Sequence, residues 1–122
     1  MSFRPMLRPG QGFKLFRVLR REEELTDSGR THTSDLKEQG EFYGIISEAD
    51  PKEIEQFKQR GTPITHTIVQ RGTKNRAMAT DVLEHVEEDG TVRRFQVNGK
   101  PKDPGELNHF LVYRVEERDD LQ

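Results

Sequence analysis

Short runs in which apolar and polar residues alternate recur along the chain and predict β-strands. Over residues 64–70, Ile64, His66 and Ile68 fall on one face of an extended chain and two threonines fall on the other. Other extended stretches follow from β-forming residues, with Gly44 marking a bulge or a close backbone approach. They lie at residues 13–19, 31–36, 41–47, 77–86, 92–97 and 109–116.

Turn residues separate these runs at intervals of about ten residues. Glu88-Asp89-Gly90-Thr91 is a signal for a type I′ hairpin. The other turn clusters are Thr26-Asp27-Ser28-Gly29, residues 71–75, Asn98-Gly99 and Asp103-Pro104-Gly105. We therefore predict an all-β domain over residues 13–118, a small antiparallel six-stranded barrel or sandwich, with a C-terminal tail at 119–122.

One short helix is signalled between the strands. Asp50 suits the N-cap, Pro51 the first helical position and Glu53 the N3 position of a capping box. Gly61 and Pro63 should end the helix. The domain is therefore expected to carry a single helical insertion.

The predicted helix has little to bury. Ile54 and Phe57 are its apolar residues, so its apolar stripe is narrow, and a helix this short is marginal in water. Two interpretations stay open: the insertion at 49–63 is a surface connector, or it acts against something outside its own domain. The second role would fall to Pro51, Lys52, Glu53, Ile54, Phe57, Lys58 and Arg60.

The N-terminal segment, residues 1–12, is basic and contains two prolines and two glycines. We expect no regular structure there. The segment is either a frayed terminus or a docking arm that orders on a partner. A docking arm would make its contacts through Phe3, Arg4, Met6, Leu7 and Arg8.

Composition limits the core and narrows the class of partner. The chain has 122 residues, enough for one small domain, of which 30% are hydrophobic and 34% charged. We expect a thin core whose stability depends partly on other protein chains. The formal net charge of −2 argues against a domain that binds duplex DNA through its phosphates.

Two further properties exclude function classes. The sequence has no cysteine, which removes disulfide frameworks, thiolate metal sites and cysteine nucleophiles. Mean hydropathy is −0.95, and no apolar run exceeds a few residues, so no membrane-spanning helix and no secretory signal are expected. We expect a protein that is intracellular or travels inside a particle.

Candidate catalytic and metal-binding residues are sparse. His66 is expected to be a hydrogen-bonded sheet residue, and residues 72–74 lack the order of a P-loop. Asp81 has apolar neighbours that could raise its pKa, although pairing with an arginine or a turn amide is the simpler expectation. We predict no enzyme, no metal and no cofactor, since metal-ligand spacing is missing around His32, His66, His85 and His109.

An alternative function is that of an OB-like module that binds nucleic acid. Such modules expose aromatic residues within a basic groove. Here acidic residues offset Arg93 and Arg94, and apolar strand neighbours place the aromatic residues in the core. The aromatic residues in question are Phe42, Tyr43, Phe95, Phe110 and Tyr113.

A set of short motifs also occurs in a fixed order over residues 13–118. After a basic first strand come Thr26-Asp27-Ser28-Gly29, Phe42-Tyr43-Gly44 and the insertion, Thr65-His66-Thr67-Ile68-Val69, Ala79-Thr80-Asp81-Val82, Phe95-Gln96-Val97, Leu111-Val112-Tyr113 and Glu116-Glu117. This order resembles the head-closure, or head–tail joining, proteins of tailed bacteriophages. Those proteins often carry a tryptophan after the Asp-x-x-Gly turn, and we expect Leu36 to take its place here.

The resemblance implies a six-stranded barrel that forms a homo-oligomeric ring, commonly of twelve, in the neck of the virion after assembly in the host cytoplasm. The ring would lie below the portal or its head–tail adaptor and offer a docking surface to the tail completion or terminator protein. It would retain packaged DNA without sequence specificity, catalyse nothing and involve no membrane. The insertion at 49–63, or otherwise the loop at 98–108, would gate the channel.

Overall fold

The computed structural model describes residues 12–25 and 31–121. Within these ranges the elements are β1 (Lys14–Leu25), β2 (Thr31–Glu48), α1 (Pro51–Gln59), β3 (His66–Arg71), β4 (Val82–Val86), β5 (Val92–Val97), a 3₁₀ turn (Pro104–Glu106) and β6 (Phe110–Glu117). The strands pair antiparallel and close into a barrel in the order β1-β2-β3-β6-β5-β4. The predicted all-β fold with one short helix is confirmed.

Two three-stranded meanders, β1-β2-β3 and β4-β5-β6, build this barrel. They join along β3 and β6, which pair over six residues from His66 opposite Val115 to Arg71 opposite Phe110. The second junction, between β1 and β4, has only three residue pairs, Arg17↔Glu84, Val18↔Leu83 and Leu19↔Val82. We call this second junction the seam.

Strands β1 and β2 are longer than the sequence predicts. The separate strands expected at 31–36 and 41–47 are one continuous strand, and β1 runs beyond residue 19 to Leu25. The two strands pair with each other as far as Leu25 opposite Thr31, although the register shifts twice. The prediction was wrong because antiparallel pairing uses the backbone N–H and C=O groups of the two strands and needs no apolar pattern along them. The turn predicted at 26–29 lies outside the described residues.

The barrel interior is filled by alternate side chains from all six strands. Phe42 stacks between Phe16 and Tyr113, with ring centroids 5.7 Å and 5.5 Å apart. Gly44 follows on the same strand because a Cβ there would lie 2.8 Å from the Val69 carbonyl oxygen, which confirms the predicted close approach. The buried cluster comprises Phe16, Val18, Phe42, Ile68, Ala77, Leu83, Phe95, Val97, Leu111, Tyr113 and Val115.

Two of the aromatic residues predicted for the core lie outside it. Phe42, Phe95 and Tyr113 are buried as expected, whereas Tyr43 and Phe110 are exposed on the outer surface. Successive side chains of a strand point to opposite faces, so Tyr43 must face outward once Phe42 faces inward. The composition of the neighbouring residues could not reveal this.

A loop at residues 72–81 connects the two meanders and covers one end of the barrel. Ala77 is fully buried there, and its N–H donates to the Tyr113 hydroxyl oxygen at 3.1 Å. The Tyr113 hydroxyl donates in turn to Gln70 Oε1 at 2.5 Å. The strand predicted at 77–86 therefore begins only at Val82, because Thr80 has a φ of +73° and ends the extended chain before it.

The hairpin between β4 and β5 occurs where it was predicted, but its turn type differs. A type I′ turn needs positive φ at both central residues. Here Gly90 has a φ of +90° and Asp89 does not have a positive φ. The Gly90 N–H donates to the Glu87 carbonyl oxygen at 2.9 Å, and Glu87 N–H donates to the Thr91 carbonyl at 2.8 Å. The connection is a type I turn followed by a glycine bulge.

The helix agrees with its predicted signals. Asp50 caps α1 by accepting the Lys52 N–H at 2.8 Å, and the helix ends before Gly61. No residue of α1 is buried. No helix in the described ranges is long and apolar enough to cross a membrane.

We predict that Tyr113→Phe lowers the free energy of unfolding by about 1–3 kcal/mol, because Gln70 and the Ala77 N–H both lose a buried partner. Urea titration followed by circular dichroism measures the change. Tyr43→Phe is the matched control, since Tyr43 is 59% exposed, and should change stability by less than about 0.5 kcal/mol. Equal effects of the two substitutions would contradict the assignment.

Candidate functional site

A row of apolar side chains crosses the outer surface of the barrel, and we call it the apolar belt. Cross-strand pairs link its members: Leu15 lies opposite Tyr43, Val86 opposite Val92, and Val69 lies opposite both Ile45 and Val112. Leu15 and Val86 each lie two residues from the seam pair Arg17↔Glu84, so they lie at the same height along the barrel. The belt comprises Leu15, Tyr43, Ile45, Val69, Val86, Val92, Phe110 and Val112.

The belt is exposed although it is apolar. Val86 and Val92 are half exposed, Phe110 is 49% exposed, and Ile45 retains more than a third of its surface. Single exposed apolar residues are ordinary, but a contiguous series that spans several strands marks an interaction surface. The barrel therefore has a candidate protein-binding site on its outside.

A different outer surface, over the seam, is polar and internally paired. Buried Glu84 accepts hydrogen bonds from Arg17 at 2.8 Å and from Arg94 at 2.9 Å. Buried Asp81 accepts hydrogen bonds from Nε and Nη2 of Arg20, both at 2.9 Å, and from the Met78 N–H at 2.8 Å. The expectation that Asp81 pairs with an arginine and a turn amide is confirmed. These two carboxylates link neighbouring strands through ion pairs with arginines.

A cluster of charged side chains lies at the end of the barrel opposite the loop at 72–81. Arg93 donates to both oxygens of Glu117 at 2.9 Å and to Glu87 at 3.2 Å, and its guanidinium lies over the Phe95 ring. Hydrogen bonding from Arg93 lowers the pKa of Glu117. The arrangement closes that end of the interior with satisfied ion pairs. Among the described residues no group of three His, Asp or Glu could hold a metal ion.

His66 lies beside this cluster and is hydrogen-bonded within the sheet. Its Nδ1 lies 2.8 Å from Thr65 Oγ1, at hydrogen-bonding distance, and the same hydroxyl oxygen accepts the Glu117 N–H. The ring meets Phe95 edge-on at 5.6 Å. Burial lowers the pKa of His66, and the nearby Glu117 carboxylate partly opposes that shift. The expectation of a hydrogen-bonded sheet histidine is confirmed.

The residues expected to act outside the domain all lie on α1 and its C-terminal end. Glu53 is half-buried, with Oε2 lying 3.0 Å from Arg114 Nε in an ion pair without an aligned hydrogen bond. The flanking chain is anchored by the Ala49 N–H, which donates to the Thr65 carbonyl at 3.0 Å. The barrel thus holds both ends of the insertion more firmly than the helix itself.

Leu36 is half-buried against Leu19, Val82 and Leu121, in a small apolar cluster beside the seam. An apolar contact thus exists at the position where we expect Leu36 to replace the tryptophan. The docking-arm residues Phe3, Arg4, Met6, Leu7 and Arg8 lie outside the described residues.

Sequence reasoning missed the apolar belt, although a signal for it was present. Consecutive apolar residues occur within the strands, as at Phe42-Tyr43, Ile45-Ile46 and Val112-Tyr113. A strand that is apolar on both faces has both faces covered. In a barrel the interior covers only one face, so apolar residues on the other face stay exposed.

Comparison with known proteins defines the fold class. No protein-family model and no curated protein matches the chain. Among solved structures, the solution structure of protein SF1141 from Shigella flexneri 2a is similar, with a TM-score of 0.67 and 14% identity over 88% of this chain and 93% of that one. At this identity the similarity concerns the small β-barrel fold alone.

We predict that His66→Gln flattens the dependence of stability on pH below about 6.5, the ordinary pKa of histidine. Because burial lowers the pKa of His66 in the folded state, its contribution is complete above pH 6.5. It is lost as pH falls from 6.5 through the folded-state pKa. Denaturant titrations at a series of pH values test this, with the exposed His109→Gln as control. A bound metal or an activity that disappears in His66→Gln would contradict a structural role.

Proposed function

We propose that this protein is a structural subunit of a ring in the neck of a tailed bacteriophage, where it joins head to tail and closes the DNA channel below the portal or adaptor. The observation that carries the proposal is the apolar belt, which gives a small barrel an outer surface suited to another protein chain. The ordered motifs over residues 13–118, which resemble those of head-closure proteins, indicate that the assembly is a ring in the phage neck. The paired carboxylates support a structural role over an enzymatic one.

A closed ring requires heterologous contacts, in which one surface of a subunit fits a different surface of the next. This barrel offers unlike surfaces, because the belt is apolar whereas the surface over the seam carries Arg17, Glu84 and Arg94. The thin core is consistent with a subunit that gains stability from its neighbours. The portal or adaptor above and the tail completion protein below would bind the ends of such a ring.

The insertion around α1 is our candidate for the channel gate. No residue of α1 itself is buried, so modest forces could displace the helix while the barrel holds the ends of the insertion, where Ala49 is buried. Glu53 is paired with Arg114, which leaves Lys52, Lys58 and Arg60 against Asp50 and Glu55. This mild positive balance would hold a DNA end without the tight phosphate binding that would prevent its exit.

An OB-like nucleic-acid-binding module is the second candidate, and one observation favours it. Tyr43 is exposed beside a cavity of about 400 Å³ whose wall includes Lys74 and Arg71, and the Arg71 guanidinium lies over the Phe13 ring. Aromatic and basic side chains together suit a single strand. Most of the belt, however, is aliphatic and offers bases no ring to stack on, so we favour a protein partner.

We predict that Tyr43→Glu combined with Ile45→Glu leaves the barrel folded but lowers incorporation into phage heads at least about tenfold, the effect of about 1.4 kcal/mol. Quantitative immunoblots of purified particles measure incorporation. Ser47→Glu is the matched control, because Ser47 is exposed on the same face of β2 beyond the belt. Unchanged incorporation of the double variant, or tight salt-sensitive binding of single-stranded DNA by the wild type, would contradict the proposal.

We also predict that replacing residues 51–60 with a Gly/Ser linker preserves ring assembly on the portal complex, while filled heads lose their DNA. The reason is that α1 contributes no buried residue to the barrel. Nuclease sensitivity of the packaged DNA is the measurement. Heads that retain DNA as well as wild type would move the gate to the loop at 98–108.

A further inference from the structure

A groove of about 660 Å³ lies between the start of β1 and the β4-β5 hairpin. It exists because the seam is short: within the described chain the β1-β4 ladder ends at Arg17↔Glu84. Beyond that pair the strands are linked through His85 Nδ1, 3.1 Å from the Leu15 carbonyl oxygen. An extended segment could therefore lie between the two strands. We call this feature the acidic groove.

The walls of the acidic groove combine apolar and negatively charged groups. Phe13, Leu15 and Val86 provide the apolar part, and Glu87, Glu88 and Asp89 provide three carboxylates in a row. Among the described residues of the wall, Lys14 is the one lysine or arginine, and its Nζ lies 3.6 Å from Glu87. A ligand with apolar side chains and positive charges would complement this surface.

Hydrogen bonds favour the charged form of two of these three carboxylates. Hydrogen bonding from Arg93 lowers the pKa of Glu87, and the Thr91 N–H that Asp89 accepts at 2.8 Å lowers the pKa of Asp89. Glu88 and Asp89 have no ion-pair partner within the described ranges of the chain. The groove therefore presents negative charge that its own barrel leaves uncompensated.

The segment at residues 3–8, Phe-Arg-Pro-Met-Leu-Arg, has the complementary chemistry. It holds three apolar side chains and two arginines, and the chain contains no acidic residue before Glu22. In an extended segment Arg4 and Arg8 lie about 13 Å apart, which suits a row of carboxylates. Pro5 restricts the backbone in advance and so reduces the entropy lost on binding.

We propose that residues 3–8 of one copy bind in the acidic groove of a neighbouring copy, with Arg4 and Arg8 facing the carboxylates and the apolar side chains packed on the groove wall. The proposal rests on the ring described above, since that assembly supplies the neighbour. Segment and groove are unlike surfaces of one chain, as a heterologous ring contact requires. The eleven residues before Gly12 span up to about 36 Å, comparable with the width of a domain of this size.

The neighbour is a better occupant than the same copy. Gly12 and Phe13 line the groove, so the segment of the same copy would enter it only after a tight reversal within residues 9–11. A segment from a neighbouring copy enters the groove without that reversal.

Disulfide cross-linking can test the proposal directly, because the chain contains no cysteine. A full-length variant with Met6→Cys and Glu88→Cys is oxidised both in assembled particles and as concentrated purified protein, then examined on a non-reducing gel. We expect a ladder of covalent oligomers. A monomer with an internal disulfide, or free thiols throughout, would overturn the proposal. Met6→Cys with Asp120→Cys is the control, since Asp120 is an exposed residue outside the groove, and should give no ladder.

Charge reversal supplies an independent arm of the experiment. The starting variant carries Met6→Cys and Val86→Cys. Adding Glu88→Lys should lower its yield of cross-linked oligomers about tenfold. Adding Arg4→Glu and Arg8→Glu as well should restore that yield. The unfolding midpoint should stay unchanged, because Glu88 has no ion pair among the described residues. A yield indifferent to these charges would contradict the electrostatic contact.

The two experimental settings separate this proposal from the proposed function. A ladder in purified protein that never enters phage heads would support the segment–groove contact and reject the neck assignment. Incorporation into heads without any ladder would reject the contact and leave the neck assignment standing.

Discussion

The three residue pairs of the seam between β1 and β4 are the constraint on which the rest of the structure depends. The remaining strand pairs form an open, curved sheet, and the seam alone closes it into a barrel with no free edge around the core. Two ion pairs hold the seam together, Arg17 with Glu84 and Arg20 with Asp81. The carboxylate of each pair is buried. Removing one partner of such a pair leaves a charge buried without compensation, which is strongly destabilising. The seam is therefore short, and its buried ion pairs fix which residues of β1 and β4 lie opposite each other.

Closure also explains why the functional surface lies outside the barrel. The six strands turn one set of side chains inward, and aromatic rings such as Phe16, Phe42 and Tyr113 pack against one another in that space. Apolar residues on the other face have no place in the core and form the apolar belt. The seam's shortness opens the acidic groove beside it. Both features are candidate surfaces for the protein contacts that the proposed assembly needs.

Local signals predicted the parts of the fold that local chemistry determines. Asp50 and Pro51 located the helix correctly, and Gly90 located the hairpin, because caps and turns depend on neighbouring residues. The outward direction of Tyr43 could not be predicted, since it depends on which face of β2 turns toward the barrel interior once β2 has paired with β1 and β3. The continuity of β2 and the loop at 72–81 likewise depend on partners far along the chain. The apolar belt was missed because its residues come together only through the register of strands that are distant in the sequence.

A reconstruction of the phage neck by electron cryo-microscopy tests the central claim most directly. With particles that contain this protein, we predict a ring of barrels in which Tyr43, Ile45 and Val69 are covered by the adjacent subunit and α1 faces the central channel. A neck that contains the protein with these three side chains facing solvent would contradict the role assigned to the belt, and particles without the protein would contradict the neck assignment.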